Sequence, residues 1–285
     1  MKNLKKFLAL LTALSMLLCL SACGSFERKM AKSAANMGQL ESMHLDVDFA
    51  LDMELAVMGQ SMDVDAAIKA GIDLNTEPFA MKMDMDVEAM GIGQQAQIYI
   101  VDEAGERVAY TSDDGGKTWE RGTVEVDVDV NGMSVKDSLA LLSKWADSFE
   151  KAGEEKINGS AATKYSGLID AASLVQLMDA SGADDAMESS LGLELDGDDV
   201  AALKDVPVSI WIDNKSSMVV RMDVDVTELM QSLLSEAIDE VIDDVLADSG
   251  LAGLPLDIKL GAATASVNLS EFDEVGRIEL PAGVK

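Results

Sequence analysis

The sequence predicts an α+β protein in which a strongly curved antiparallel β-sheet, a half-barrel, packs over helices. Apolar and charged residues alternate through residues 45–90, as expected for strands with one apolar and one solvated face. Elsewhere the apolar residues recur at spacings of three and four, which is typical of amphipathic helices. No internal linker divides the body, so residues 26–285 are expected to form a single domain.

The amino terminus has the three-part composition of an export signal. Three lysines, Lys2, Lys5 and Lys6, precede an apolar segment from Phe7 to Leu20. The following Leu20-Ser21-Ala22-Cys23 resembles the bacterial lipobox. This resemblance implies that residues 1–22 are a lipoprotein signal peptide and that residues 23–25 form a lipidated amino terminus, with acyl chains such as palmitate on Cys23. The alternatives are an uncleaved membrane anchor and an ordinary secretory signal.

The predicted processing fixes both the compartment and the cysteine chemistry. A lipidated chain would be anchored to the cell membrane on its extracytoplasmic face. Cys19 lies in the removed segment, so the mature chain would keep only Cys23. A disulfide or a thiolate metal site is therefore not expected, and the fold must depend on an ordinary buried core.

The chain is strongly acidic, with a formal net charge of −30 at pH 7. Nucleic acid is not expected as a partner, because no basic surface exists to replace the counterions of phosphate. An anionic lipid surface would also repel the body, so membrane attachment is expected through the lipid anchor. The charge suits a solvated surface, although it would also attract calcium or cationic peptides.

The predicted strands are separated by turn signals. Gly59-Gln60, Asn75-Thr76-Glu77-Pro78 and Gly91-Ile92-Gly93 separate the first four strands, and Asn158-Gly159 indicates a type I′ hairpin. The predicted strands lie at residues 45–55, 62–74, 81–87, 97–101, 107–112, 117–120, 154–157, 161–169, 208–212, 218–226, 256–260 and 263–269. Residues 124–130 also alternate, either as an edge strand or as an extended approach to the next element.

Four helices are predicted from apolar spacing and from capping residues. They cover residues 26–39, 134–151, 171–180 and 227–248. The acidic, Gly- and Ser-rich residues 181–199 predict a mobile loop or lid.

The residues needed for catalysis are missing from the sequence, so an enzyme is not expected. There is no phosphate-binding Gly-rich loop, no His-Glu-x-x-His and no Gly-x-Ser-x-Gly. The only histidine, His44, is expected to have a capping or surface role at a helix-to-strand junction. Asp196-Gly197-Asp198-Asp199 lacks the spacing and the terminal Glu of a calcium loop. Neither a metal nor a cofactor is predicted.

The methionines are the most unusual feature of the composition, with 18 in the chain against only 4% aromatic residues. Methionine is flexible and polarizable, so a face built from it can adapt to apolar ligands of variable shape. These residues either fill the core under the helices or line a cavity for acyl chains. The candidate cavity residues are Val47, Phe49, Met53, Met62, Met81, Met83, Met85, Met218 and Met222.

Taken in order, these segments resemble the lipid- and lipoprotein-carrier superfamily of LolA and the mycobacterial LppX-like lipoproteins. The chain is most similar to an uncharacterised group of Gram-positive lipoproteins of that fold. The resemblance spans most of the mature chain, and the residues that carry it are Ser42-Met43-His44 after the first helix, Pro78 before Met81-Lys82-Met83-Asp84-Met85, Tyr110 with Asp113-Asp114-Gly115-Gly116-Lys117-Thr118-Trp119, Asn158-Gly159 with Thr163 and Tyr165, and Phe272 to Pro281.

This resemblance implies an apolar cavity between sheet and helices, with no catalytic residues. The chain departs from the lipid carriers in its acidity and in the long helix 227–248, which could plug the concavity. The sequence therefore leads to two hypotheses. One is an anchored lipoprotein that binds a lipid or another hydrophobic molecule. The alternative is a non-enzymatic envelope lipoprotein with a filled core that acts through protein contacts.

Overall fold

A computed structural model describes residues 26–57, 60–103, 105–123, 145–170, 204–231, 256–281 and 283–284. These residues form one open antiparallel sheet of 11 strands with few helical segments. The strands are β1 (Ser42–Val57), β2 (Gln60–Thr76), β3 (Phe79–Ala89), β4 (Ile92–Glu103), β5 (Glu106–Ser112), β6 (Glu120–Thr123), β7 (Glu150–Ile157), β8 (Ser160–Ile169), β9 (Val206–Asp213), β10 (Val219–Asp225) and β11 (Leu256–Ser270).

The sheet consists of two meanders joined at its centre. Its order is β6-β5-β4-β3-β2-β1-β11-β10-β9-β8-β7, so the first and the last strands are neighbours. The end of the sheet at which β1 begins is called the lower end here, and the end at which β1 stops is the upper end. The turns between β2 and β3 and between β9 and β10 lie at the lower end, and the turn between β3 and β4 lies at the upper end.

The first helix, α1 (residues 26–37), crosses one face of the sheet from the upper toward the lower end. Near its start the Phe26 ring stacks on Phe149, just before β7, with ring centroids 4.5 Å apart. Further along, the Ser33 hydroxyl accepts a hydrogen bond from the Val219 amide at 2.9 Å. The Asn36 side chain donates to the carbonyl of Ser216 at the lower end.

Two other helical segments are described. A short 3₁₀ turn covers Ala146–Ser148, and α2 (residues 227–231) follows β10. The Asp225 carboxylate accepts a hydrogen bond from the Thr227 amide at the start of α2. The Thr227 hydroxyl exchanges hydrogen bonds with the backbone of Ala263, which fastens α2 to β11.

Several predicted boundaries were wrong. The helix predicted to reach residue 151 stops earlier, because Phe149 is extended and β7 begins at Glu150. Trp145 and Phe149 keep helical spacing because both reach the same apolar cluster. The two strands predicted at 256–269 are one strand, β11, with a register shift opposite Asp52 and Met53. The segment before Glu120 is a turn, and Met218 precedes β10.

Some predicted elements lie outside the described residues. These are the signal peptide and Cys23, the segment 124–130, residues 134–144 of the second helix, the helix 171–180, the loop 181–199 with its calcium candidate, and the predicted helix beyond residue 231.

The main core lies where α1 and α2 meet the β7–β9 side of the sheet. Its residues are at most 8% exposed, and they are Phe26, Met30, Trp145, Ala146, Phe149, Tyr165, Ile169, Val206, Val208, Ile210, Ile212 and Leu229. A smaller cluster of Ala162, Trp211 and Val220 forms on the opposite face.

Candidate ligand-binding face

The strand register places the alternating apolar residues on one continuous face, called the inner face here. Val47 pairs with Ala70 on one side and with Val267 on the other. Successive partners extend this row across the sheet, through Met85, Ala70, Val47, Val267, Met222, Ile210 and Tyr165. Strand side chains repeat with a period of two, so the parallel rows above and below are apolar as well.

Eight of the nine candidate cavity residues share this inner face. Met83 lies opposite Ile72, Met81 opposite Leu74 and Met62 opposite Leu55. Phe49, Met53, Val47, Met85 and Met222 occupy inner positions by the same registers. Met218, by contrast, precedes β10 and belongs to no strand row.

The two halves of the inner face differ in burial. On β8 and β9, Tyr165 and Ile212 are almost completely buried beneath α1 and Phe149. On β1 to β3, the candidate residues from Val47 to Met85 are half-buried or exposed, and Met62 is 49% exposed. Met222, between the two halves, is 36% exposed. The methionine-rich half is therefore less completely covered than the aromatic half.

A groove of about 520 Å³ lies at the lower end of the inner face, between the end of α1 and the β2–β3 turn. Its apolar walls include Met37, Met43 and Phe79. The Arg107 guanidinium lies 4.6 Å from the centre of the Phe79 ring, and its Nε is 3.7 Å from Asp102. The groove is also lined by Glu77 and Asp102, so its walls are of mixed polarity. A cation over an aromatic ring at its rim can contact a polar headgroup while the apolar part of the walls contacts a chain.

Neither Arg107 nor Phe79 is singled out by the sequence pattern. Phe79 follows the predicted turn and Arg107 opens a short strand, so alternation alone gives no sign that they meet. Only the pairing of β4 with β5, which sets Arg107 opposite Asp102, brings the cation to this groove.

His44 lies on the outer face within β1 and not at a helix junction. Its Nδ1 is 2.6 Å from the Asp73 carboxylate on β2, and its Nε2 is 3.2 Å from Asp46. Burial acts to lower the pKa of His44, but the hydrogen bonds to Asp73 and Asp46 outweigh it, so the pKa is raised above its ordinary 6.5. This arrangement links β1 and β2 through charge.

The loop between β5 and β6 is organised by the Asp114 carboxylate. It accepts hydrogen bonds from the amides of Lys117 and Thr118 and from the hydroxyls of Thr118 and Ser112. The amide and hydroxyl of Thr118 are the main reason that the pKa of Asp114 is far below its usual range. The Trp119 ring meets Tyr99 edge to face at 5.4 Å. The loop is thus held by its own hydrogen bonds and packs against β4 through Trp119.

In the described part of the chain, no group of three or more acidic, histidine or cysteine side chains is placed to hold a metal ion. The same residues contain no helix that is both long and apolar enough to cross a membrane.

Comparisons with known proteins give a family and a set of solved structures. Residues 25–149 match a family of unknown function, DUF6612. No curated protein matches the chain.

Among solved structures, the chain is similar to the lipoprotein LppX of Mycobacterium tuberculosis, with 17% identity and a TM-score of 0.46 over 90% of this chain and 99% of that one. It is also similar to LprF of Mycobacterium bovis, with 16% identity and a TM-score of 0.44 over 91% and 98% of the two chains. A LolA superfamily protein of Nitrosomonas europaea covers 90% and 94%, with 8% identity and a TM-score of 0.20.

Proposed function

We propose that this protein is a membrane-anchored extracytoplasmic lipoprotein that binds a lipid or another hydrophobic molecule against its inner face. In this proposal Cys23 carries the acyl anchor, and the sheet curves as a half-barrel around the ligand. The protein acts by binding and not by catalysis.

The observation that carries the proposal is the unequal burial of the inner face. A folded protein rarely leaves a contiguous set of large apolar side chains half-exposed without a partner for them. Here they cover the β1–β3 half, whereas the β8–β9 half is closed by aromatic rings. An acyl chain laid along the methionine rows would gain about 0.8 kcal/mol for each methylene that it buries.

The residue types also support an adaptable ligand site. Met81, Met83 and Met85 alternate along β3 and face Leu74, Ile72 and Ala70 on β2. Their unbranched side chains can take several conformations, so the surface can fit chains of different length or unsaturation. The groove beside Arg107 provides the polar rim that an amphiphile requires.

The test is to purify the mature chain in mild detergent and to extract it with denaturing organic solvent. A bound lipid appears in the extract, whereas acyl chains on Cys23 stay with the protein and are seen in its mass. Recovery of a stoichiometric apolar molecule is expected. An empty extract together with a fully filled interior would favour the alternative of a lipoprotein that acts through protein contacts.

A matched pair of variants locates the site. Ala70→Trp places a large ring in the middle of the inner row, between Val47 and Met85, and is expected to reduce the recovered ligand at least fivefold. Ala67→Trp makes the same change on the outer face of the same strand, where Ala67 pairs with Ala50, and should leave recovery unchanged. Equal ligand loss in both variants would contradict binding at the inner face.

A further inference from the structure

Two turns at the upper end of the sheet carry no charged residue. At the lower end, Glu77 lies between β2 and β3 and Lys215 between β9 and β10, whereas the β7–β8 turn at Asn158-Gly159 is uncharged. At the upper end, the β1–β2 turn lies between Glu54 and Asp63, and none of the residues between these two is charged. The β3–β4 turn lies between Glu88 and Asp102, and none of the residues between these two is charged either. In a chain of net charge −30, two neutral turns at one end are a distinct local pattern.

The β3–β4 turn is flanked by the two most exposed large apolar side chains of the described residues, Met90 at 63% and Ile92 at 70% exposed. Met62, near the start of β2, is 49% exposed, as is Leu168 at the end of β8. Met62 and Met90 line one shallow groove, because β2 continues past the end of β3, where Ala89 pairs with Ala66. Met62, Met90 and Ile92 are called the upper patch below.

Carboxylates border the upper patch on one side. Asp63, Asp65 and Glu88 line the same groove on the side of the outer face. Other connections at the upper end are charged: Asp113 and Asp114 of the β5–β6 loop line a groove with Gly93, and Lys204 and Asp205 precede β9. Apolar side chains bordered by carboxylates are complementary to a surface that has an apolar interior covered by a layer of ammonium groups. The apolar side chains would contact the interior, and the carboxylates would contact the ammonium groups.

The amino terminus of α1 lies at the same end of the sheet. Phe26 lies beside Phe149, which precedes β7 at the upper end, whereas Ser33 and Asn36 contact the lower end. The helix therefore points its amino terminus upward, and Cys23 is only three residues before Phe26. Three extended residues reach about 10 Å. An acyl anchor on Cys23 would hold the upper end, and not the lower end, close to the bilayer.

We infer that the upper patch rests in the surface of the lipid bilayer, with Met62, Met90 and Ile92 among the first methylenes of the acyl chains, just beneath zwitterionic headgroups. The carboxylates behind them face the ammonium groups. This inference rests on the proposed lipid anchor and adds an orientation: the inner face opens toward the membrane from which a lipid would enter.

The test uses two single-cysteine variants of the full chain, Ile92→Cys at the upper end and Lys215→Cys at the lower end. Ile92 begins β4, Lys215 lies in a turn, and both side chains are exposed. Acylated Cys23 has no free thiol, so each mature variant takes a single environment-sensitive fluorescent label. The labelled proteins are reconstituted in phosphatidylcholine vesicles with and without nitroxide-labelled phosphatidylcholine.

The label at residue 92 is expected to shift to shorter wavelength and to lose at least half of its emission to the nitroxide lipid. The label at residue 215 should keep its aqueous spectrum. A label at residue 92 that stays aqueous overturns the inference. A spectral shift without nitroxide quenching also overturns it, because it indicates a protein partner or a second copy of the chain.

The two proposals fail differently in this experiment. If a second thiol takes up label and the mass shows no acyl group, both the lipid anchor and the orientation are wrong. If Cys23 is acylated but the label at residue 92 is not quenched, only the orientation is wrong.

Discussion

At the scale of single residues, His44 shows how the acidic outer face gains cohesion. Its ring lies between carboxylates on its own strand and on β2, opposite Asp73 in the register. A cation in this position links β1 and β2 and lies between Asp46 and Asp73, which are diagonal neighbours across the two strands. The sequence pattern puts His44 at the junction with the first strand but gives no reason to pair it with Asp73, which lies 29 residues away.

The raised pKa of His44 predicts that the free energy of unfolding depends on pH. The folded state binds the proton more tightly than the unfolded state, so the stabilisation is complete below about pH 6.5 and is lost as the pH rises through the raised pKa. His44 is the only histidine, so its ring-proton NMR signal can be followed without assignment. The titration midpoint is expected above 6.5, and Asp73→Asn should lower it. An unchanged midpoint in Asp73→Asn would contradict this account.

At the scale of elements, the close packing of the 3₁₀ turn against β8 requires a residue without a Cβ atom on β8. A Cβ at Gly167 would lie 2.8 Å from the Phe149 ring and 2.8 Å from the Ser148 carbonyl oxygen. The ring of Phe149 stacks on Phe26, so it cannot move without disturbing α1. Gly167 is thus required for α1 to seat against the sheet.

Gly167→Ala is expected to lower the free energy of unfolding by about 1–3 kcal/mol, the usual cost of overpacking a core. The control is Gly153→Ala on β7, where an added Cβ meets nothing within 4 Å. Urea denaturation of both variants measures the difference. Equal stabilities would show that Phe149 gives way more easily than its packing indicates.

Alternation of apolar and charged residues is enough to predict most of the strands, because each one-sided strand must turn its apolar residues to the same face. The inward positions of Val47, Phe49 and the β3 methionines follow from that rule alone. Alternation could not tell that Phe149 ends in extended backbone, since four-residue spacing suits both a helix and a 3₁₀ turn followed by a strand. It also could not reveal the Arg107 and Phe79 contact, which depends on which strands become neighbours.

At the scale of the whole molecule, the acidic residues of the described strands include cross-strand neighbours on the outer face. Asp52 lies opposite Asp65, whereas Asp86 lies opposite Lys69. Like charges directly opposite each other destabilise a sheet, and opposite charges stabilise it. The net charge of −30 is therefore a cost to the fold that some pairs offset and others increase.

Asp65→Lys is expected to raise the free energy of unfolding by about 0.2–1 kcal/mol at low ionic strength. The same change at Asp86 sets a lysine opposite Lys69 and should be destabilising. Both effects should shrink in 1 M salt, where the screening length falls to about 3 Å. Thermal or urea unfolding at two salt concentrations checks the signs, and stabilisation by both variants would mean that net charge, and not pairing, controls stability.

The seam between β1 and β11 has a consequence for biogenesis. Leu45 pairs with Leu269 across it, so the central hydrogen-bonded ladder joins the earliest and the latest parts of the body to be synthesised. A chain delivered amino end first must keep one side of β1 without its partner until the final strand arrives. Contacts so distant in sequence form slowly, and an unpaired strand edge invites association with other chains. The β11 side of β1 is therefore the edge of the sheet most open to association with other chains until the seam closes.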